Sequence, residues 1–200
     1  VGRVIARPFI HENGKFIRTE DRKDYALEPP GKTMLDTLTE NGVCVVSVGK
    51  ISDIFCGRGI AESHHTGNNA EGLQVLQSLA DSLTEGFVFV NLVDTDMLYG
   101  HRNNAKGYAA ALEEIDVALP RILAKLREDD VFIITADHGC DPTTESTDHS
   151  REYVPLLISG KRINPIDLGT LNGFDHIAKF VCALFGVGTD ANIFQKIMRR

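Results

Sequence analysis

Short, continuous apolar runs alternate with helical patterns along this 200-residue chain, and this alternation restricts its fold more than any other feature. The apolar runs cover residues 43–48, 87–93, 131–136 and 154–159. Apolar residues recur at the 3.6-residue helical period in four segments, at about 31–42, 73–86, 107–127 and 174–185. Strands that are apolar on both faces and alternate with helices are typical of a mostly parallel sheet covered by helices on both faces. The predicted fold class is therefore α/β.

Two further segments show no helical period and predict loops. The first thirty residues are rich in Gly, Pro, Arg and Asp, and we expect loops and one short strand there. Residues 52–69 are rich in Gly and polar residues. In the long third helix, Pro120 predicts an interruption.

Charge and composition restrict the partners and the compartment. The net charge is -7, and the Lys and Arg residues are scattered, which argues against a nucleic-acid surface and against a basic membrane-binding face. No apolar run approaches the roughly 20 residues of a membrane helix, and the first residues lack a signal-peptide pattern. The four cysteines lie far apart without zinc-binding spacing, which suits a reducing cytoplasm. We predict a cytoplasmic protein with neither partner, and the sequence leaves its oligomeric state open.

Asp and His residues cluster in sequence beside three of the apolar runs. They are Asp94, Asp96, His101, Asp137, His138 and His149. Ligands of open α/β sheets bind beyond the carboxyl ends of the strands, so these residues are expected to converge on one edge of the sheet. Carboxylates favour Mg or Mn, and imidazoles extend the choice to Zn, Fe or Ni. The pattern therefore predicts a divalent metal site without selecting the metal.

A single Asp or His after a strand is more often a helix cap or a hydrogen-bonded loop residue than a metal ligand. Five such residues at three strand ends favour a metal site over that alternative; they are Asp96, His101, Asp137, His138 and His149. For Asp94, Asp141 and Asp148 both roles stay open, since each either orients a ligand histidine or caps a turn. Asp137 and His138 point to opposite sides of an extended strand, whereas a turn at Gly139 would aim both at one ion.

The segments that carry these residues resemble the metal-binding half of the alkaline phosphatase superfamily. The matching stretches are VDTDMLYGHRNN (93–104), TADHG (135–139) and HSREYVP (149–155). Within that superfamily the chain is most similar to the phosphopentomutase family. Cofactor-independent phosphoglycerate mutases have one residue fewer between the Asp and the His that match Asp96 and His101. The segments GRVIARPF (2–9) and GKISDIF (49–55) also resemble phosphopentomutases, so the likeness spans nearly the whole chain.

The resemblance implies an alkaline-phosphatase-like core plus a remnant of an inserted cap domain. Residues 1–25 would be the end of that cap and its return to the core, and residues 26–200 would be the metal-binding core. The implied activity moves phosphate between positions 1 and 5 of ribose or deoxyribose through a phosphothreonine and two Mn²⁺ ions. By position, the ligands of one ion would be Asp96, His101 and His149, and those of the other Asp137 and His138.

Arg3 and Lys50 match basic residues that approach the sugar phosphate in this family, although each is alternatively a solvated surface charge. The family's threonine nucleophile and one further metal-binding aspartate precede the part that matches Val1. We therefore expect this chain to be part of a longer protein or a processed product, to lack the nucleophile and to be inactive alone. The alternatives are another phosphatase or a phosphoglycerate mutase of the superfamily, or a non-catalytic metal-binding domain.

Overall fold

The computed structural model describes residues 3–6, 8–19, 23–188 and 192–199. The strands are β1 (Arg3–Ala6), β2 (Phe9–Glu12), β3 (Lys15–Arg18), β4 (Lys23–Ala26), β5 (Val45–Val48), β6 (Glu62–His64), β7 (Phe87–Val90), β8 (Phe132–Thr135) and β9 (Leu156–Ser159). The α-helices are α1 (Met34–Glu40), α2 (Ile51–Ile54), α3 (Asn69–Ser82), α4 (Ala105–Leu123), α5 (Asp175–Leu184) and α6 (Asn192–Ile197). Over these ranges, no helix combines the length and the apolar character that crossing a membrane requires.

A three-stranded parallel sheet forms the centre of the protein, in the order β6-β5-β7. Every residue of β5 is buried, as its apolar sequence predicts for a central strand. On one face, Val45 packs with Leu35 of α1 and Val181 of α5. On the other face, Val46 packs with Leu79 of α3. Helices therefore cover both faces, and the predicted α/β class is confirmed.

The sheet structure is not parallel throughout, because β9 pairs with β8 in antiparallel orientation. A parallel pair needs a long crossover, usually a helix, whereas the connection 136–155 contains no helix, only turns, bends, irregular chain and one isolated bridge. The stretch 52–69, which we expected to be a loop, contains β6, which pairs with the edge of β5. Its sequence Glu-Ser-His gives no strand signal, so the neighbouring strand and not local preference makes it extended.

The prediction for the first thirty residues was wrong, because they contain four strands instead of one. β1 pairs with β4, and β2 pairs with β3, both antiparallel. The turn between β2 and β3 is Asn13-Gly14, and both residues have positive φ, at 51° and 75°. Asn-Gly is the strongest short signal for a two-residue hairpin, so the sequence did contain this information. The proposed domain division at residue 25 stays a prediction.

Pro120 does not break α4 but lies within its last turn, and the helix ends three residues later at Leu123. A proline removes one backbone hydrogen bond and clashes with the preceding turn of the helix. So close to the end of α4, these effects coincide with the end of the helix and do not divide it. The short helix α6 was not predicted.

A reciprocal cap fixes the start of α1. Thr33 Oγ1 accepts a hydrogen bond from the Asp36 N–H at 3.2 Å, and Asp36 Oδ2 accepts one from the Thr33 N–H at 2.8 Å. Arg58 Nη2 donates to the same carboxylate at 2.8 Å. The Thr33 N–H above all, with further help from the Thr33 hydroxyl and from Arg58, holds the pKa of Asp36 below its ordinary value despite partial burial.

Replacement of Asp36 by Ala should lower the free energy of unfolding at pH 7 by about 1–2 kcal/mol, the usual effect of losing a helix cap. Because the folded-state pKa is lowered, the carboxylate stabilises the fold fully above its unfolded pKa of about 4. That contribution is lost as the pH falls through the lower, folded-state pKa. Urea unfolding of both proteins at pH 7 and near pH 3 should show the difference shrinking in acid. The exposed Asp116 of α4 serves as the control, and a pH-independent difference for Asp36→Ala would contradict this role.

Candidate metal centre

The chain makes an unusually wide turn after β7, and this turn brings Asp96 and His101 together. A π-helical turn, Thr95–Tyr99, is followed at once by a 3-10 turn, Gly100–Arg102. Hydrogen bonds of a π-helix join residues five apart, which is the separation of Asp96 and His101. His101 Nε2 lies 3.3 Å from Asp96 Oδ1. The wide turn therefore accommodates the five-residue spacing of Asp96 and His101 that the sequence shows.

A single backbone bridge brings the other two histidines together. Gly139 and Ser150 form an isolated antiparallel bridge, in which the Ser150 N–H donates to the Gly139 carbonyl at 3.0 Å. His138 and His149 immediately precede these two residues, and their rings stack with centroids 3.6 Å apart and planes 16° apart. The segments after β8 and before β9 therefore converge, as the sequence predicted.

The carboxylate of Asp96 lies at the centre of the group formed by Asp96, His101, His138 and His149, which we call the Asp96 cluster. Asp96 Oδ1 is 3.2 Å from His149 Nε2 and 4.0 Å from His138 Nε2. The ligand atoms of Asp96, His138 and His149 all lie within 4.8 Å of one another. Two ligand atoms each about 2.0–2.2 Å from one ion are at most about 4.4 Å apart, so these spacings are close to those of a metal site.

Hydrogen bonds to backbone carbonyls orient two of the imidazoles. His101 Nδ1 lies 2.6 Å from the Thr147 carbonyl oxygen, and His138 Nδ1 lies 3.0 Å from that of Gly139. A carbonyl oxygen only accepts, so each Nδ1 carries a hydrogen, and in the neutral imidazole Nε2 then keeps its lone pair. Metal-binding histidines usually use their second nitrogen in this way. The donor set and its tautomers therefore fit a divalent cation.

The groups behind the cluster feel the negative charge of Asp96. Burial raises the pKa of the Cys140 thiol, and the carboxylates of Asp96 and Asp141 add to that effect. Burial also raises the pKa of Tyr108, again with a contribution from Asp96. Burial is the main cause of both shifts, and their smaller electrostatic part reflects the negative field of Asp96. Such a field favours a cation at this edge of the sheet.

The aspartates whose roles were open do not orient histidines through the hydrogen bonds seen here. Asp94 Oδ2 accepts from the backbone N–H of Asn69 at 2.8 Å. Asp141 Oδ1 accepts from both the hydroxyl and the N–H of Thr143, which lowers the pKa of Asp141. The Asp148 N–H donates to Ser146 Oγ. The hydrogen bonds of Asp94 and Asp141 match the capping alternative.

The remaining predicted site residues lie around the cluster or outside the described atoms. Asp137 has a side chain that is 74% exposed, and its Oδ1 is 3.7 Å from His138 Nε2. Lys50 follows β5 and its Nζ contacts Met97 Sδ, next to Asp96. The backbone of Arg3 in β1 pairs with Ala26 of β4. The side chain of Arg3 is not part of the described structure.

The family resemblance groups His138 with Asp137, whereas in the structure its Nε2 lies within reach of both aspartates, 3.7 Å from Asp137 Oδ1 and 4.0 Å from Asp96 Oδ1. Ring stacking on His149 accounts for this position, since it places His138 Nε2 on the side of Asp96. The division of these residues between two ions stays a prediction.

An open cleft of about 750 Å³ lies where the chain leaves β5, at Gly49 and Lys50. Lys50 lines the cleft and also touches the π-helical turn that carries Asp96. Other lining residues are Gly49, Ser52, His65, Thr66 and Tyr25. The volume is in the range of small-molecule sites, and the side chains are mostly polar. A small polar ligand bound there would lie beside Lys50.

The groups that orient the side chains of the metal centre were not predicted from the sequence. The carbonyls of Gly139 and Thr147 gave no signal, because every residue carries such a group. The pair of Asn69 and Asp94 was missed because residues 52–69 were assigned to a loop. The doublet Asn68-Asn69 before a helical pattern was an available signal for a helix start there.

Residues 15–189 match the family model of the Metalloenzyme superfamily. The phosphopentomutase of Acetivibrio thermocellus is 57% identical to this chain over 192 residues, which are 95% of the chain and 49% of that protein. The phosphopentomutase of Anaeromyxobacter dehalogenans is 56% identical and that of Clostridium kluyveri 53%, over 95% and 94% of the chain and 49% and 48% of the respective relative. The resemblance to phosphopentomutases is confirmed, and the chain spans about half the length of these relatives.

A solved structure, that of the PH0037 protein from Pyrococcus horikoshii, is similar with a TM-score of 0.54 and 22% sequence identity. The match covers 74% of this chain and 46% of that chain. At this identity the likeness supports the α/β fold alone.

Proposed function

The chain belongs to the Metalloenzyme superfamily, and from this premise we propose that it is the metal-binding part of a phosphopentomutase. The enzyme would interconvert the 1-phosphate and the 5-phosphate of ribose or deoxyribose. The observation that carries the proposal is the Asp96 cluster, in which three imidazole Nε2 atoms lie within 4.0 Å of one carboxylate oxygen. Identity of 53–57% to phosphopentomutases along nearly the whole chain supports this choice of reaction.

In this proposal Asp96, His101 and His149 hold one Mn²⁺ ion, and Asp137 and His138 contribute to a second. Carboxylate and imidazole together suit Mn²⁺, and other divalent metals fit the same donors. When bound, two such ions stabilise the attacking and leaving oxygens of an in-line phosphoryl displacement. The chain's own task is to hold the ligands in place before the substrate arrives, because a preformed site needs no reorganisation during the reaction.

We assign the cleft that Lys50 lines to the sugar phosphate. Lys50 would place its ammonium group near the phosphate oxygens, where a compact positive charge offsets the negative charge of the substrate. Arg3 would act in the same way. The contact of Lys50 with Met97 supports this role, because it places the ammonium group between the cleft and the residue next to Asp96.

The phosphoryl-accepting threonine belongs, in this proposal, to the half of the relatives that the chain does not span. The 200-residue chain alone is therefore expected to bind Mn²⁺ but not to convert ribose 1-phosphate, since metal ligands cannot replace a nucleophile. Calorimetric titration with Mn²⁺ and a coupled assay for ribose 5-phosphate test both parts. Turnover by the chain alone would contradict the assignment of the nucleophile to another segment.

The reaction itself is tested by joining this chain to the amino-terminal half of the Acetivibrio thermocellus phosphopentomutase. The fusion should convert ribose 1-phosphate to ribose 5-phosphate, and a chelator should abolish that activity. The matched control is the same fusion with His149→Ala. A fusion that folds and binds Mn²⁺ but shows no phosphoryl transfer would favour a non-catalytic metal-binding role.

A further inference from the structure

A buried pair of polar residues joins the first turn of α3 to Asp94, in the segment that follows β7. The Asn69 N–H donates to Asp94 Oδ2 at 2.8 Å, and the Asp94 N–H donates to Asn69 Oδ1 at 3.0 Å. Asn69 is fully buried, and Asp94 is 8% exposed. Each side chain thus binds the backbone of the other residue, and the two backbones are fixed relative to each other.

This pair fixes the chain immediately before the π-helical turn. Asp94 is the residue that precedes this turn, and Asp96 follows two positions later. From there the carboxylate of Asp96 reaches His101 and His149 at 3.3 and 3.2 Å. A small displacement of residue 94 would therefore move the central carboxylate of the cluster relative to the imidazoles.

The pair is a costly way to stabilise a fold. Asn69 Nδ2 and Asp94 Oδ1 are buried and have no hydrogen-bond partner among the described residues. Polar atoms buried in this state lower stability. Such exceptions concentrate at functional sites, where geometry matters more than stability.

The start of α3 is closely packed against its neighbours. A Cβ atom at Gly72, one turn into α3, would lie 2.8 Å from Leu92 Cδ2. The first turn of α3 thus lies directly against the segment that leads to Asp94. Just before α3, His65 and Thr66 line the cleft. The pair therefore connects the segment that follows His65 and Thr66 with the turn that carries Asp96.

We propose that Asn69 and Asp94 are positioning residues that hold Asp96 in place for metal binding. Neither side chain touches the ion, and both act by fixing the backbone from which Asp96 projects. The inference deepens the proposed function and rests on Asp96 as a metal ligand.

Replacement of Asn69 by Ala should raise the Mn²⁺ dissociation constant of the folded chain at least about tenfold, the range seen when groups that orient metal ligands are lost. The matched control is Asn68→Ala. Asn68 Oδ1 caps the same helix by accepting from the Glu71 N–H at 2.9 Å, and its side chain has no hydrogen bond to Asp94. This control should lower the unfolding midpoint and leave the Mn²⁺ affinity unchanged. A purely structural role for Asn69 would give the same result as the control.

A second test exchanges the two side-chain types of the pair in two steps. Its result does not depend on the cavity that a change to alanine leaves. Asn69→Asp keeps the acceptor for the Asp94 N–H but places two carboxylates together, and it should weaken Mn²⁺ binding. Adding Asp94→Asn restores one carboxylate and one amide, and the affinity should return toward that of the unaltered chain. Circular dichroism identifies the folded fraction in each case. Unchanged affinity in both folded single variants would overturn the proposal.

The histidine ring signals in the NMR spectrum of the metal-free chain separate this inference from the proposed function. If the unaltered chain binds no Mn²⁺, the proposed function fails. The positioning role is then judged by the signals of His101, His138 and His149 at fixed pH. These signals should shift in Asn69→Ala and not in Asn68→Ala, because only the first change moves Asp96. Identical signals in both variants would overturn the positioning role.

Discussion

Replacement of His149 by Ala in the complete protein should lower turnover by about 10²–10³-fold, the usual effect of removing one group that stabilises the charge of a transition state. It should also lower the amount of Mn²⁺ bound. His149 Nε2 lies 3.2 Å from Asp96 Oδ1, and its ring stacks on His138, so the change removes one ligand and the surface that orients another. The side chain is 48% exposed, and the free energy of unfolding should therefore change little.

Metal analysis of the purified protein and steady-state kinetics measure the two effects of His149→Ala. His176→Ala is the matched control, because His176 lies in α5, where its Nε2 binds the Asn172 carbonyl and not the cluster. The control should keep full metal content and normal turnover. Normal activity of His149→Ala with its metal retained would exclude His149 as a ligand.

The elements that follow from local periodicity were predictable from the sequence. The apolar run 43–48 gave β5, the helical pattern before it gave α1, and the run 87–93 gave β7, with ends within a few residues. β5 is fully buried and β7 is half-buried. Burial of apolar side chains is what produces both the sequence pattern and these elements. β7 is shorter than the apolar run 87–93 because the chain leaves the sheet before the turn that carries Asp96.

Direction and pairing of strands were less predictable, because they depend on connections and neighbours. β9 has an ordinary strand sequence, but its antiparallel orientation follows from a connection that contains no helix. β6 is extended only because β5 offers it an edge. The hairpin of β2 and β3 differs from both, since its Asn13-Gly14 turn could have been recognised.

The sequence predicted which residue types meet at the site but not how they are arranged. The family resemblance predicted Asp96, His101 and His149 as one ligand set, which stays a prediction. Their convergence follows from the positions of the strand ends. The π-helical turn was not predictable, because nothing in its composition distinguishes it from an ordinary helical turn. The position of His138 against His149 was not predictable either, because it depends on a bridge between residues eleven apart, Gly139 and Ser150.

That bridge leads to the second large effect, since Gly139→Ala should weaken Mn²⁺ binding as strongly as the loss of a ligand. A Cβ atom at residue 139 would lie 2.5 Å from the backbone nitrogen of Glu152 and 2.5 Å from the carbonyl oxygen of Ser150. Backbone atoms cannot rotate away as a flexible side chain can, so the two strands must separate. His138 and His149 would separate with them. The free energy of unfolding should fall by about 1–3 kcal/mol, as for other overpacked sites.

The glycine is required here for close approach and not for a left-handed backbone, because Gly139 does not have a positive φ. Gly31→Ala is the matched control, since a Cβ at Gly31 meets no atom within 4 Å and its φ is also not positive. Mn²⁺ titration and urea unfolding should show losses for Gly139→Ala and neither loss for Gly31→Ala. Full Mn²⁺ affinity in Gly139→Ala would mean that His138 and His149 reach the ion independently of the bridge. The metal centre would then depend on its individual ligands and not on the pairing of the segments that carry them.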